Sequence, residues 1–106
     1  MSEWMNVVLE SDLAPGNHLV VEVEDAMIVI VNLDGEFYAI EDVCSHDGSE
    51  ISSGCVIDGC FECPRHGARF DIKTGEVTAP PAYEPIDTFP VQVIDGMVQV
   101  RDHRWD

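Results

Sequence analysis

A chain of 106 residues with 21 acidic against 5 basic side chains has a formal charge of -16, which repels phosphate backbones and anionic lipid and argues against nucleic-acid or membrane partners. Its length suits one domain over residues 1–106 with a single core, so any function is expected at one site. No run approaches the roughly 18 consecutive apolar residues of a membrane helix, and Met1-Ser2-Glu3-Trp4 lacks a basic region followed by an apolar run, so a cytoplasmic protein is expected.

From Trp4 to Ile40 the sequence reads as short β segments. Ser11-Asp12-Leu13, close to Pro15-Gly16, has room for a single helical turn, and no 3.6-residue periodicity runs for long. His18-Leu-Val-Val-Glu-Val and Met27-Ile-Val-Ile-Val are rich in β-branched residues and are separated by Glu24-Asp25. Asp34-Gly35 suits a two-residue hairpin turn into Glu36-Phe-Tyr-Ala-Ile. The stretch from about Val43 to Pro81 holds all four cysteines, two of the four histidines and many glycines and prolines. It reads as an elaborated loop pair inserted in a β-sandwich. Val91-Gln-Val-Ile and Met97-Val-Gln-Val then flank Asp95-Gly96 as a second hairpin. The expected class is all-β, with function in the middle segment.

Within that segment Cys44-Ser45-His46 is followed, after sixteen residues, by Cys63-Pro64-Arg65-His66. Each half offers one thiolate and one imidazole from a short loop, and the longer gap lets two loops grip a metal from opposite sides. Four such ligands could hold one tetrahedral zinc in a structural module. Zinc modules usually place cysteines together and histidines together, whereas two mixed loops suit a two-iron cluster with thiolates on one iron and imidazoles on the other. In a cytoplasmic chain, two cysteines close to histidines also point to metal rather than disulfides.

Cys44-x-His46 with Cys63-x-x-His66 resembles the two cluster-binding boxes of Rieske proteins, in particular the Rieske-type ferredoxins of bacterial ring-hydroxylating dioxygenases. Cys63-Pro-Arg-His-Gly-Ala-Arg-Phe-Asp71 and Lys73-Thr-Gly-Glu76 extend the likeness. The resemblance implies a fold of three small antiparallel sheets with a cluster-binding subdomain over about 43–81 and one [2Fe-2S] cluster per chain. Cys44 and Cys63 would bind the buried iron, and His46 and His66 the outer one. It also implies that Gly48 and Gly67 let backbone amides approach the sulfurs, and that Pro80-Pro81 belongs to a loop covering the cluster.

The departures from that pattern carry chemistry. Respiratory Rieske proteins have a further cysteine in each box, forming a disulfide; Ser49 and Arg65 stand at those positions here. High-potential members place a serine and a tyrosine hydroxyl near the cluster, where Ala68 and Phe70 stand here, so a potential near the low end of the Rieske range is expected. Cys55 and Cys60 read as core or surface thiols, and His18 and His103 as packed or surface histidines. Arg65 and Arg69 are either partner contacts or solvated charges.

The function this implies is one-electron transfer from a flavin-containing reductase to a terminal non-haem iron oxygenase, with no catalytic residues in the carrier itself. Alternatives are the Rieske-like small subunit of a nitrite reductase and an accessory protein of iron-sulfur cluster assembly. The acidic surface would steer a basic partner face. The sequence leaves the oligomeric state open.

Overall fold

The computed structural model describes residues 3–45, 48–65 and 67–104. Among the described residues there are three antiparallel sheets, as expected from the resemblance. Strands β1 (Met5–Leu9), β11 (Met97–Val100) and β10 (Val91–Ile94) form the first, in that order. The second runs β2 (His18–Val23), β3 (Ala26–Leu33), β4 (Glu36–Glu41) and β9 (Thr88–Phe89). The third follows chain order through β5 (Cys55–Ile57), β6 (Cys60–Glu62), β7 (Arg69–Asp71) and β8 (Val77–Ala79). The helical turn expected near Ser11 is a 3-10 turn over Glu10–Asp12, and a second covers Ile51–Ser53.

The middle sheet explains why β3 lacks polar alternation. Ile28 and Ile30 face one way, into a core shared with Val98, Val100, Leu13 and Phe89. Val29 and Val31 face the other, into a core shared with Ile40, Phe61, Phe70, Ile72, Cys44 and Cys63. All four β3 residues are fully buried, so both faces of the strand are apolar. Removing each such side chain from water contributes about 1.5–3 kcal/mol. The expectation of a sandwich carrying a loop pair is therefore corrected: the inserted segment contains its own four-stranded sheet, which closes a second core against the middle sheet.

Hairpin geometry follows the turn residues. Asp34-Gly35 and Asp95-Gly96 both have positive φ at both positions, which matches the right-handed strand twist. Asp58-Gly59 does the same between β5 and β6, so three hairpins share one dipeptide.

Candidate metal centre

The candidate site is built on two loops with the same backbone wiring. After β4, the Cys44 N–H donates to the Ser49 carbonyl at 2.7 Å, and the Gly48 N–H donates to the Cys44 carbonyl at 2.7 Å. After β6, the Cys63 N–H donates to the Ala68 carbonyl at 2.7 Å, and the Gly67 N–H to the Cys63 carbonyl at 3.1 Å. Gly48 and Gly67 both adopt left-handed backbone, at φ 78° and 77°, with open space where a Cβ would stand. The need for glycine is thus conformational. Each glycine's own amide serves its cysteine's carbonyl.

Cys44 and Cys63 are each 1% exposed and belong to one apolar cluster with Ile51, Phe61, Ala68 and Phe70. Neither is in a disulfide. Two buried thiols at equivalent points of two matched turns fit a metal group held by thiolates, which would neutralise charge that such surroundings could not otherwise hold. Two of the four expected ligands, His46 and His66, lie outside the described residues. Among the described residues, no cluster of three or more potential metal-binding side chains forms.

The surroundings fit the sequence-level departures. Ala68 and Phe70, where hydroxyl donors would raise a cluster potential, are fully buried in the same core, and neither side chain can donate. Ser45 Oγ donates to the Glu84 carbonyl at 2.5 Å, which ties the proline-rich loop over residues 80–85 to the Cys44 loop. Ala82 from that loop enters the core, and Tyr83 projects from it with 86% of its surface exposed.

Cys55 and Cys60 take no part in this arrangement. They lie on β5 and β6, alternating with Val56 and Phe61, which face the core. Cys55 is exposed, and the Cys60 sulfur has the Thr78 hydroxyl 3.5 Å away. Arg69 pairs with Glu62, its Nε donating to Oε2 at 2.9 Å, and Arg65 is exposed. His103 packs edge-on to Phe89.

Sequence reasoning did not find what closes the feet of these loops. Asp42, 6% exposed, accepts two hydrogen bonds from Ser52: one from its N–H at 2.8 Å and one from its hydroxyl at 2.7 Å. His18 reaches the same residue from β2, with Nε2 3.0 Å from the Ser52 carbonyl, and stands edge-on to Phe61. These residues are 10 and 34 positions apart, and no local motif announces them. Farther down, fully buried Asp102 accepts hydrogen bonds from Arg104 Nε and Nη2, which hold its carboxyl below the usual range. The same guanidinium lies within 4 Å of Glu41 and Asp87, which bracket the Cys44 loop and the proline-rich loop. Burial pushes the Glu41 carboxyl up, with the Asp87 charge adding to it.

Comparison with known proteins decides the family, because the Rieske [2Fe-2S] domain matches residues 3–90. The chain belongs to the Rieske [2Fe-2S] family. Its cofactor is accordingly a [2Fe-2S] cluster. The ferredoxin subunit of anthranilate 1,2-dioxygenase from Burkholderia cepacia is 40% identical over 73 residues, covering 69% of this Rieske chain and 68% of the relative. The ferredoxin component of the naphthalene 1,2-dioxygenase system from Pseudomonas putida is 34% identical, covering 92% and 94%. A chain in the solved complex of reduced oxygenase and oxidized ferredoxin in carbazole 1,9a-dioxygenase superposes with a TM-score of 0.87 at 35% identity, covering 92% of this chain and 91% of that one. A nitrite reductase small subunit from Mycobacterium tuberculosis reaches a TM-score of 0.84 at 23% identity, which reflects the common fold alone. Among the described residues, no helix is long and apolar enough to cross a membrane.

Proposed function

We propose that this Rieske protein is a cytoplasmic one-electron carrier that takes electrons from a flavin-containing reductase and delivers them to a terminal non-haem iron oxygenase. Residues 1–106 would act as one domain, with about 43–81 carrying the cluster. Cys44 and Cys63 would hold one iron, and His46 and His66 the other. The observation that carries this reading is the pair of buried thiols on matched turns inside one core. The dioxygenase ferredoxins among its relatives support the assignment of partners.

When bound, the cluster supplies reversible storage of one electron. The chain's own residues provide the rest. The apolar wall of Phe61, Phe70, Ile51 and Ala68 excludes water from the thiolate side, and the missing hydroxyl donors leave the added electron without extra hydrogen bonds. A midpoint potential near the low end of the Rieske range, about 150 mV below zero, follows. Such a value suits transfer from a flavin to an iron oxygenase better than quinol oxidation.

The surplus of 21 acidic over 5 basic side chains favours encounter with a basic partner face. Electron-transfer rates are therefore expected to fall as salt rises, and rates independent of ionic strength would exclude steering.

The test is anaerobic purification followed by absorption and electron paramagnetic resonance spectra after dithionite reduction. A red-brown protein with a rhombic reduced signal, its average g below the free-electron value, supports the carrier. A colourless protein with one zinc refutes it and makes the chain a structural module. Reduction by a flavin-containing reductase, followed by turnover of an oxygenase, separates this reading from the nitrite reductase subunit and cluster-assembly roles.

A further inference from the structure

Ser52 is the point where three elements meet. Its N–H and hydroxyl both donate to the Asp42 carboxylate at the end of β4, and its carbonyl accepts from His18 on β2. Because the carbonyl can only accept, His18 carries its proton on Nε2 in this contact. All three polar groups of Ser52 are thus engaged. Next to it, Ile51 is fully buried in the core that holds Cys44, and the His18 ring rests 5.2 Å from the Phe61 ring of that core.

This arrangement does for one arm of the site what a strand ladder does for the other. Cys63 lies between β6 and β7, whose main chains pair from Cys60 to Asp71, so the peptide bonds themselves fix its loop. The strands on either side of Cys44, β4 and β5, do not pair with each other: β4 pairs with β3 and β9, with the Asp42 N–H continuing to the Met27 carbonyl at 2.9 Å, and β5 pairs with β6. After β4 the chain runs to the 3-10 turn at Ile51–Ser53, and the bonds from Asp42 and His18 that converge on Ser52 tie that turn back to β4 and β2.

We propose that His18, Asp42 and Ser52 are positioning residues for the cluster: a clamp by which β2 and β4 hold the Cys44 arm, and on which retention of the cluster depends. The inference rests on Cys44 being a ligand, as given under Proposed function. His18 therefore has a role beyond packing.

The test compares His18→Leu and Ser52→Ala with the conservative His18→Gln and Ser52→Thr, and with Glu62→Gln at the foot of the other loop. The first readout is bleaching of the purified holoprotein by excess EDTA without oxygen. The leucine and alanine variants are expected to bleach about five-fold faster, the factor equivalent to one ordinary hydrogen bond. Glutamine, threonine and the Glu62 variant should stay within about two-fold of the parent, and the paramagnetic signature should be unchanged in all five. Bleaching at the parental rate in both His18→Leu and Ser52→Ala overturns the clamp. So does equal acceleration by His18→Gln and His18→Leu, because the effect would then come from packing against Phe61.

The second readout is amide hydrogen exchange of the protein as purified. Peptides containing Cys44 should exchange faster in His18→Leu and Ser52→Ala, and those containing Cys63 should not. Equal change in both overturns the clamp. This readout does not depend on the cluster. A parent without a mixed-ligand signal would refute the ligand assignment, while the exchange pattern still decides the clamp.

Discussion

The loop after Cys44 and the loop after Cys63 rest on the same two backbone hydrogen bonds and a glycine in the same conformation, yet they are held in the fold by different means. The second grows out of a β-hairpin, and its flanking Glu62–Arg69 ion pair is partly exposed. The first is closed by a buried carboxylate, a serine and a histidine from a distant strand. Main-chain pairing is insensitive to which side chains the strands carry, whereas every bond to Ser52 needs the side chain of Asp42 or His18 and is lost with one substitution. The matched turns therefore set local geometry, and the feet set how durably that geometry persists.

The largest expected effect would break the equivalence of the loops if they are not both ligands. Cys44→Ser or Cys63→Ser should each abolish the visible bands of the purified protein, while Cys55→Ser and Cys60→Ser leave them intact. Survival of colour in either of the first two variants would remove that loop from the site.

Next comes the place where the two feet touch. A Cβ on Gly54 would lie 1.8 Å from the Glu62 backbone carbonyl oxygen and 3.2 Å from the Pro64 ring. The obstacle is backbone, which cannot swing aside, so Gly54→Ala should destabilise by about 3 kcal/mol in denaturant unfolding and weaken both loops together. A near-neutral result would mean that the feet are independent.

The difference between the closures is sharpened by a pair of variants. Asp42→Ala strips Ser52 of both of its donor contacts in a buried setting and should cost about 1–3 kcal/mol. Glu62→Ala removes a partly exposed ion pair and should cost about 0–1 kcal/mol. Equal costs in urea titrations would show that the side-chain closure is no more critical than the strand ladder.

A smaller, pH-dependent effect belongs to the shared anchor beneath both the Cys44 loop and the proline-rich loop. Asp102 has its native pKa lowered by hydrogen bonds from Arg104, so its contribution is complete above the ordinary carboxylate range and is lost as pH falls through the lowered native value. Asp102→Asn should therefore lower the melting temperature near pH 7, by an amount that shrinks as pH falls through the lowered native value. Glu41 works in the opposite sense, because its raised native pKa means that stability is lost as pH rises through that value. Melts of Asp102→Asn and Glu41→Gln across pH should therefore diverge from the parent in opposite directions.

The smallest effect falls on potential alone. Ala68→Ser places a hydroxyl in the Cys63 loop and should raise the midpoint potential without changing the spectrum, as measured by redox titration. No shift would mean that the hydroxyl finds another acceptor.

Much of this architecture was legible in the sequence because it rests on local chemistry. Asp34-Gly35 and Asp95-Gly96 mark hairpins through their φ requirements, and the β-branched run Met27-Ile-Val-Ile-Val marks a strand, whose burial on both faces only the structure shows. Asp58-Gly59 carries the same signal, but the strands around it have only three residues each and sit among ligands and glycines, so the segment resembled a loop. The cysteine and histidine spacing was visible because each half of the site spans four residues or fewer. The feet were not visible. Asp42, Ser52 and His18 meet only after β2, β4 and the 3-10 turn are packed, and Arg104 finds Glu41 and Asp87 only once the carboxy-terminal strands return across the molecule. Long-range polar contacts of this kind leave no periodic or spacing signal.

The central claim is that each loop contributes one thiolate and one imidazole to the same cluster. Pulsed electron paramagnetic resonance of the dithionite-reduced protein tests it by reading nitrogen couplings to the unpaired electron. The account requires couplings from two imidazole nitrogens, with one lost in His46→Cys and the other in His66→Cys. A cluster without nitrogen coupling would be ligated by cysteines alone, would draw Cys55 and Cys60 into the site, and would contradict the account.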